Sequence, residues 1–317
     1  MTKKERVMAV IHGQTPDRIP SGFWLHFPQE AQFGDAAYDA HLRFFDQTQT
    51  DICKVMNENL LRSDIRVQTA SDFGRITLSG IDRRAIDDQV ALCRRIVKAV
   101  GGEAPVLATI HGVVVSTHHS ANRIGQYVDN IVFLRACLHE DPAALCQAME
   151  TVTQALCELT RRCIEEAGCD GIYYAALGAE KDFFTAQQYA QVIAPLEKRV
   201  FAAAGAAPCF NALHICKNGL DITRFADYPA QVVNWAIHEN NPSLQEGFDV
   251  FAGRVILGGL DDRAGVLVDG TDDEIRAAVR GLIALAQGRP FMLGSDCTLP
   301  TDIDPRRIRV AVEAAQV

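Results

Sequence analysis

No apolar run in this sequence approaches the roughly 20 residues that a membrane-spanning helix needs, and no cluster of lysine and arginine appears. Aromatic residues make up only 7%, the formal charge is -9, and no repeat or low-complexity tract interrupts the chain. A bilayer selects for apolar length and nucleic acid for positive charge, so the expectation is no nucleic acid and no membrane. A small molecule or a protein partner fits better. Met1 to Gly13 is charged and amphipathic with no apolar signal core, which predicts a cytoplasmic protein.

What is present suits a large core. The 317 residues are 48% hydrophobic and 22% charged, and the reading is one domain over 1–317. Short apolar runs alternate with helical patterns throughout. Strands are expected at 19–24, 51–56, 105–110, 169–174, 208–213, 231–235, 254–258 and 290–293. Helices are expected at 2–13, 38–47, 84–100, 124–139, from Asp141-Pro142 towards Gly168, and at 185–204, 219–226, 243–251 and 271–288. Residues 62–82 read as an excursion. Eight strands joined by crossover helices predict a parallel (β/α)8 TIM barrel. An open doubly wound sheet is the structural alternative, but no glycine-rich fingerprint follows the first strand.

Chemistry in such barrels sits at the carboxyl ends of the strands. His214 and Cys216 are expected to follow strand five, and Cys297 to follow strand eight. A spacing of i, i+2 in extended chain points two side chains the same way, and all eight strands empty into one basin. A nitrogen and two sulfurs suit zinc and leave a fourth position open, as in catalytic sites. His214, Cys216 and Cys297 are therefore the metal and catalytic candidates. The bland alternative makes each a buried packing residue, which is the reading adopted for the other eight of the ten cysteines.

Other residues are expected near the mouth. Trp24 and His26 leave strand one and are candidates for a pocket wall. Glu58 after strand two is a candidate fourth ligand or proton acceptor. His111 leaves strand three, and alternation turns one of Tyr173 and Tyr174 inward. Asn234, Asp261 and Asp296 are candidates for binding polar substrate atoms or orienting His214. The adjacent His118 and His119 are expected to be a loop feature, because neighbouring extended residues point apart.

Several stretches share one order and spacing with a known group: Lys4 to Gly13 with Pro16 to Pro20, Glu140-Asp-Pro142, Glu166 to Gly171, Leu213-His-Ile-Cys216, Gly258-Gly-Leu-Asp261 and Gly294 to Pro300. In these the chain resembles the uroporphyrinogen decarboxylase superfamily of (β/α)8 barrels. The resemblance implies two possible activities. True decarboxylases carry an arginine-rich segment after strand one, whereas Gly22 to Pro28 here holds no arginine. The His-x-Cys with a distant Cys instead resembles the cobamide-dependent methyltransferase branch, such as methylcobamide:coenzyme M methyltransferases. That resemblance implies zinc on His214, Cys216 and Cys297, and a methyl group moved between a corrinoid (methylcobalamin) and a thiol or tetrahydrofolate acceptor. It also implies a separate corrinoid protein as partner, because the barrel takes up the whole length. Lys217 departs from the glycine common after the ligand cysteine. A decarboxylase on the same barrel and a non-catalytic ligand-binding barrel are the competing readings.

Overall fold

A computed structural model describes residues 1–316, and among them eight parallel strands form one sheet in the order β1-β8-β7-β6-β5-β4-β3-β2. The strands are β1 (Ser21–Gly22), β2 (Cys53–Val55), β3 (Val106–His111), β4 (Gly171–Ala176), β5 (Ala212–Ile215), β6 (Val232–Trp235), β7 (Val255–Leu260) and β8 (Phe291–Ser295). The first strand returns to the last, with Ser21 opposite Leu293 and Gly22 opposite Gly294. The sheet thus curls into the nearly closed (β/α)8 TIM barrel that the alternating pattern predicts.

Alternation along each strand separates two apolar layers. Ile52, Met56, Leu107, Tyr173, Ala212, Val232, Leu257 and Met292 fill the barrel interior. Val55, Ala108, Tyr174, Leu213, Val233 and Ile256 face the helices. The helix α1 (Lys3–Ile11) closes the bottom by placing Val7 and Val10 in the interior cluster. Its start is fixed by a capping box in which Thr2 and Glu5 satisfy each other's backbone amides.

That bottom is pinned by charge. The Asp51 carboxylate, wholly buried, accepts from Arg6 at 2.6 Å, from both terminal nitrogens of Arg18 at 2.8 and 2.9 Å, and from the Ser21 amide at 2.9 Å. Two arginines and a backbone donor make this buried carboxylate well matched, which is the condition under which a buried ion pair holds a structure together.

The outer shell follows as α2 (Gly34–Thr48), α3 (Arg83–Val100), α4 (Val113–Ser120), α5 (Tyr127–Glu140) and α6 (Pro142–Glu165). Asp141 caps α6 by accepting from the Ala144 amide, with Pro142 in the first turn. The next helix starts at α7 (Ala186–Gln188), passes through a π-turn and continues as α8 (Ala194–Ala203). The last are α9 (Leu244–Val250), α10 (Asp272–Ala286) and α11 (Pro305–Ala314).

Four differences from the sequence reading matter. Strand five lies at Ala212–Ile215 rather than 208–213, which puts His214 inside the strand and leaves only Cys216 beyond it. The segment at 219–226 is a short 3-10 turn, Ile222–Phe225. Residues 113–120 form α4, so His118 and His119 stand on a helix rather than in a loop. Three consecutive valines disguise it, because β-branched side chains are poor helix formers that tertiary burial overrides. The helix α11 was also unread, although Asp304 at its cap and Pro305 in its first turn mark the start.

Candidate metal centre at the barrel mouth

Three donors converge where β5 and β8 end. Ligand atoms of His214, Cys216 and Cys297 all lie within 4.8 Å of one another. The Cys297 sulfur is 3.4 Å from Nε2 of His214. Hydrogen bonds fix the chain on both sides: the Cys216 amide donates to Ala176 O at 2.9 Å, and the Ser295 hydroxyl donates to Cys297 O at 2.7 Å.

The imidazole is oriented by one neighbour. His214 pairs in register with Asn234 on β6, and the two side chains meet at 2.6 Å between Nδ1 and Oδ1. The Asn234 amide nitrogen is committed elsewhere, donating to Leu257 O at 2.8 Å and Ser295 O at 3.0 Å. The oxygen therefore accepts, Nδ1 carries the proton, and Nε2 presents its lone pair to the sulfurs; this tautomer is assigned from the network. Tyr173 completes it, donating its hydroxyl to Asn234 Oδ1 at 2.9 Å while its ring stacks on the imidazole with centroids 5.5 Å apart.

The two thiols share a proton unequally. A hydrogen bond from Cys216 holds the Cys297 thiol well below its usual pKa, against the opposing effect of burial. The Cys216 thiol is pushed well above, because its proton serves that bond and because it is buried. Two adjacent thiols and an imidazole lone pair, all converging, are the donor chemistry of a zinc site with one position left for a ligand. These residues fit zinc.

The remaining candidates separate. Trp24 is buried inside the barrel, edge-on to Tyr173 with centroids 4.7 Å apart, so it belongs to the floor. His26 is half exposed on the rim and meets Glu58 at 2.5 Å. Burial opposes ionisation of Glu58, yet the hydrogen bond and charge of His26 keep its carboxyl below the usual range. Glu58 lies outside the donor cluster among the described residues, so the structure does not group it as a fourth ligand. His111 is close enough to Glu58 and Lys54 to feel both charges, and burial pulls its pKa down to about 4.

Asp261 is turned to the backbone, accepting from the amides of Arg263 and Ala264. Its neighbour Asp262 is the buried one: burial, then the charge of Cys297, raises its carboxyl to about 7, and one oxygen has no partner. Asp296, wholly buried, is engaged by His238, which donates its amide at 3.0 Å and meets the same oxygen through Nδ1 at 2.9 Å. Asp296 therefore holds the loop after β6 rather than His214. Lys217, just after Cys216, has φ of +84°, a left-handed conformation that glycine adopts without strain. That geometry explains why the position suits glycine.

Lys54, Asp262 and His238 were not read from the sequence. Lys54 shares its strand face with Ile52 and Met56, both of which turn inward, but a lysine between two apolar residues does not by itself reveal which way that face points.

A (β/α)8 barrel with an N, S, S donor set at the ends of its fifth and eighth strands defines the class. The chain belongs to the uroporphyrinogen decarboxylase (URO-D) family, whose sequence profile matches residues 62–317. No curated protein matches it closely enough to count. Among solved structures it is similar to a methyltransferase from Methanosarcina mazei, at 16% identity over 99% of this chain and 98% of that one, with a TM-score of 0.78. It is also similar to a B12-independent methionine synthase from Shewanella sp. W3-18-1, solved with selenomethionine, at 11% identity over 94% and 96% of the two chains, with a TM-score of 0.60. At these identities the likeness establishes a common fold.

Proposed function

We propose that this protein is a zinc-dependent methyltransferase that moves a methyl group between a corrinoid, carried by a partner protein, and a thiol or tetrahydrofolate acceptor. The observation that carries this reading is the convergence of His214, Cys216 and Cys297 within 4.8 Å at the barrel mouth. The name of the Methanosarcina neighbour agrees with it. His214, Cys216 and Cys297 would hold the metal, with Asn234 fixing the imidazole tautomer. Zinc in such a site would lower the pKa of a bound thiol so that its sulfur is nucleophilic near neutral pH. Trp24 and Tyr173 form the apolar floor against which an acceptor rests, and His26, Glu58 and His111 with the loops at Asp261 and Asp296 surround it.

The family's name favours a decarboxylase as the second reading. The absence of arginine between Gly22 and Pro28 weighs against a polycarboxylate substrate. Metal analysis followed by methylcobalamin demethylation, with coenzyme M, homocysteine and tetrahydrofolate offered in parallel, tests the proposal. The expected result is about one zinc per chain and turnover with one acceptor. Protein that binds no zinc, or carbon dioxide release that survives chelation, overturns it.

A further inference from the structure

Lys54 is a charged residue in an apolar interior. It projects from β2 between the inward-facing Ile52 and Met56 and is only 7% exposed. Its ammonium donates to the Met56 sulfur at 2.9 Å, and lies 4.5 Å from the centre of the Tyr173 ring and 5.1 Å from that of Trp24. A thioether and two aromatic faces attract a cation without cancelling its charge. No carboxylate lies within ion-pair distance among the described residues. Glu58, whose charge reaches Lys54, is committed to His26. Burial without a counter-ion lowers the pKa of Lys54 to about 7, and an anion arriving beside it would draw the amine back to its charged form.

The charges at the mouth indicate where. Tyr173 links Lys54 to the donor cluster: the ammonium lies 4.5 Å from the centre of its ring, and that ring stacks on the His214 imidazole with centroids 5.5 Å apart. Two thiolates offset a divalent cation and leave the His214–Cys216–Cys297 centre neutral. A third, incoming thiolate would make it singly negative. One buried ammonium restores neutrality.

We propose that Lys54 is the counter-charge for the incoming ligand and makes this centre select a deprotonated thiol over a neutral ligand. The inference rests on the zinc reading above. On binding, the thiol enters as the thiolate and its proton passes to solvent, or to the Lys54 amine where that is still neutral; no oxidant or reductant is involved. Lys54 acts through charge and is a selectivity residue that need not touch the reacting atoms.

The test uses the zinc-loaded protein and reads binding, not turnover. Calorimetric titration with thiocyanate, an anion, and imidazole, a neutral ligand, is compared in the wild type, Lys54→Met and Lys54→Arg, with zinc content measured for each. The wild type is expected to prefer thiocyanate. Lys54→Met should bind thiocyanate about thirtyfold more weakly, with imidazole affinity and zinc content retained, and Lys54→Arg should keep the preference. Titration of 2-mercaptoethanol at about pH 6, where Lys54 is already charged, in two buffers of different ionisation enthalpy should show about one proton released in the wild type and less in Lys54→Met. Equal thiocyanate affinity in Lys54→Met overturns the proposal. So does a wild type that prefers imidazole, a comparison that stands even if the variant does not fold. Zinc bound without anion selectivity defeats this inference alone, whereas no zinc in the wild type defeats the proposed function as well.

Discussion

Asn234 Oδ1 receives the Nδ1 proton of His214 at 2.6 Å, and the amide that carries this oxygen is itself locked to two backbone carbonyls on β7 and β8. One side chain thus ties three strands to the tautomer of a single imidazole. Replacing Asn234 with Leu removes that orientation and leaves the donors otherwise intact. The expected outcome is a zinc affinity about 10- to 100-fold weaker, measured by competition with a chromogenic chelator.

The ligand triad predicts an all-or-none loss. Cys297→Ala and Cys216→Ala should each abolish stoichiometric zinc, since a two-donor remnant cannot complete a tetrahedral site. Circular dichroism should be unchanged, because both sulfurs lie at the mouth and outside the two apolar clusters. Metal analysis by mass spectrometry checks the first and a thermal melt the second.

Glu197 on α8 predicts a pH dependence. It is wholly buried and accepts the hydroxyls of Tyr174, Tyr189 and Tyr228 at 3.0, 2.9 and 2.6 Å. Burial raises its carboxyl to about 7, against the pull of the three donors. The folded protein holds this proton more tightly than the unfolded chain does, so its contribution is present in full below the unfolded value near 4.5 and lost as pH rises through about 7. Between those limits stability should fall by on the order of 3 kcal/mol. Urea midpoints from pH 5 to 8 should show that decline in the wild type and a flatter profile in Glu197→Gln.

Asp51 predicts a stability effect far from the mouth. Asp51→Ala leaves Arg6 and Arg18 facing each other at the bottom of the barrel without their shared carboxylate. A loss of about 3 kcal/mol is expected, read as a lower urea midpoint. Zinc content should be unchanged in the folded fraction.

Gly171 at the start of β4 predicts a steric failure. A Cβ there would lie 1.7 Å from the carbonyl oxygen of Phe210, and backbone cannot rotate aside as a side chain can. Gly171→Ala should cost about 3 kcal/mol, the upper end for overpacking, and lower the thermal midpoint accordingly.

The barrel was legible because its signals are local and repeated. Alternating apolar strands, the Asp141-Pro142 start and the Thr271 capping box are each decided by neighbouring residues, and the structure has them all. Valine-rich α4 was misread where burial overrides propensity. The three donors were legible because spacing at strand ends carries over into space, and they do converge. Asp262 was not, because the choice between it and Asp261 depends on how the loop after β7 turns, which is set by contacts from other strands. Lys54 escaped because a lysine between two apolar residues looks the same whether it faces water or the inside of a barrel. Asn234 was read as one of two things, a substrate contact or an orienting group, and the network with His214 and Tyr173 supports the second.

The ladder of strands runs from β2 round to β1 and ends there, leaving β1 and β2 joined mainly by the Asp51 amide on Ser21 O and the Asp51 carboxylate on Ser21. A barrel opens most readily where its hydrogen bonds are fewest. Amide exchange should therefore appear first along this seam, while β5 to β8, which carry His214, Asn234 and Cys297, stay protected. Breathing there would loosen Trp24 and Lys54 on the floor and leave the candidate donors His214, Cys216 and Cys297 at their spacing, so one side of the site can adapt while the other keeps its shape.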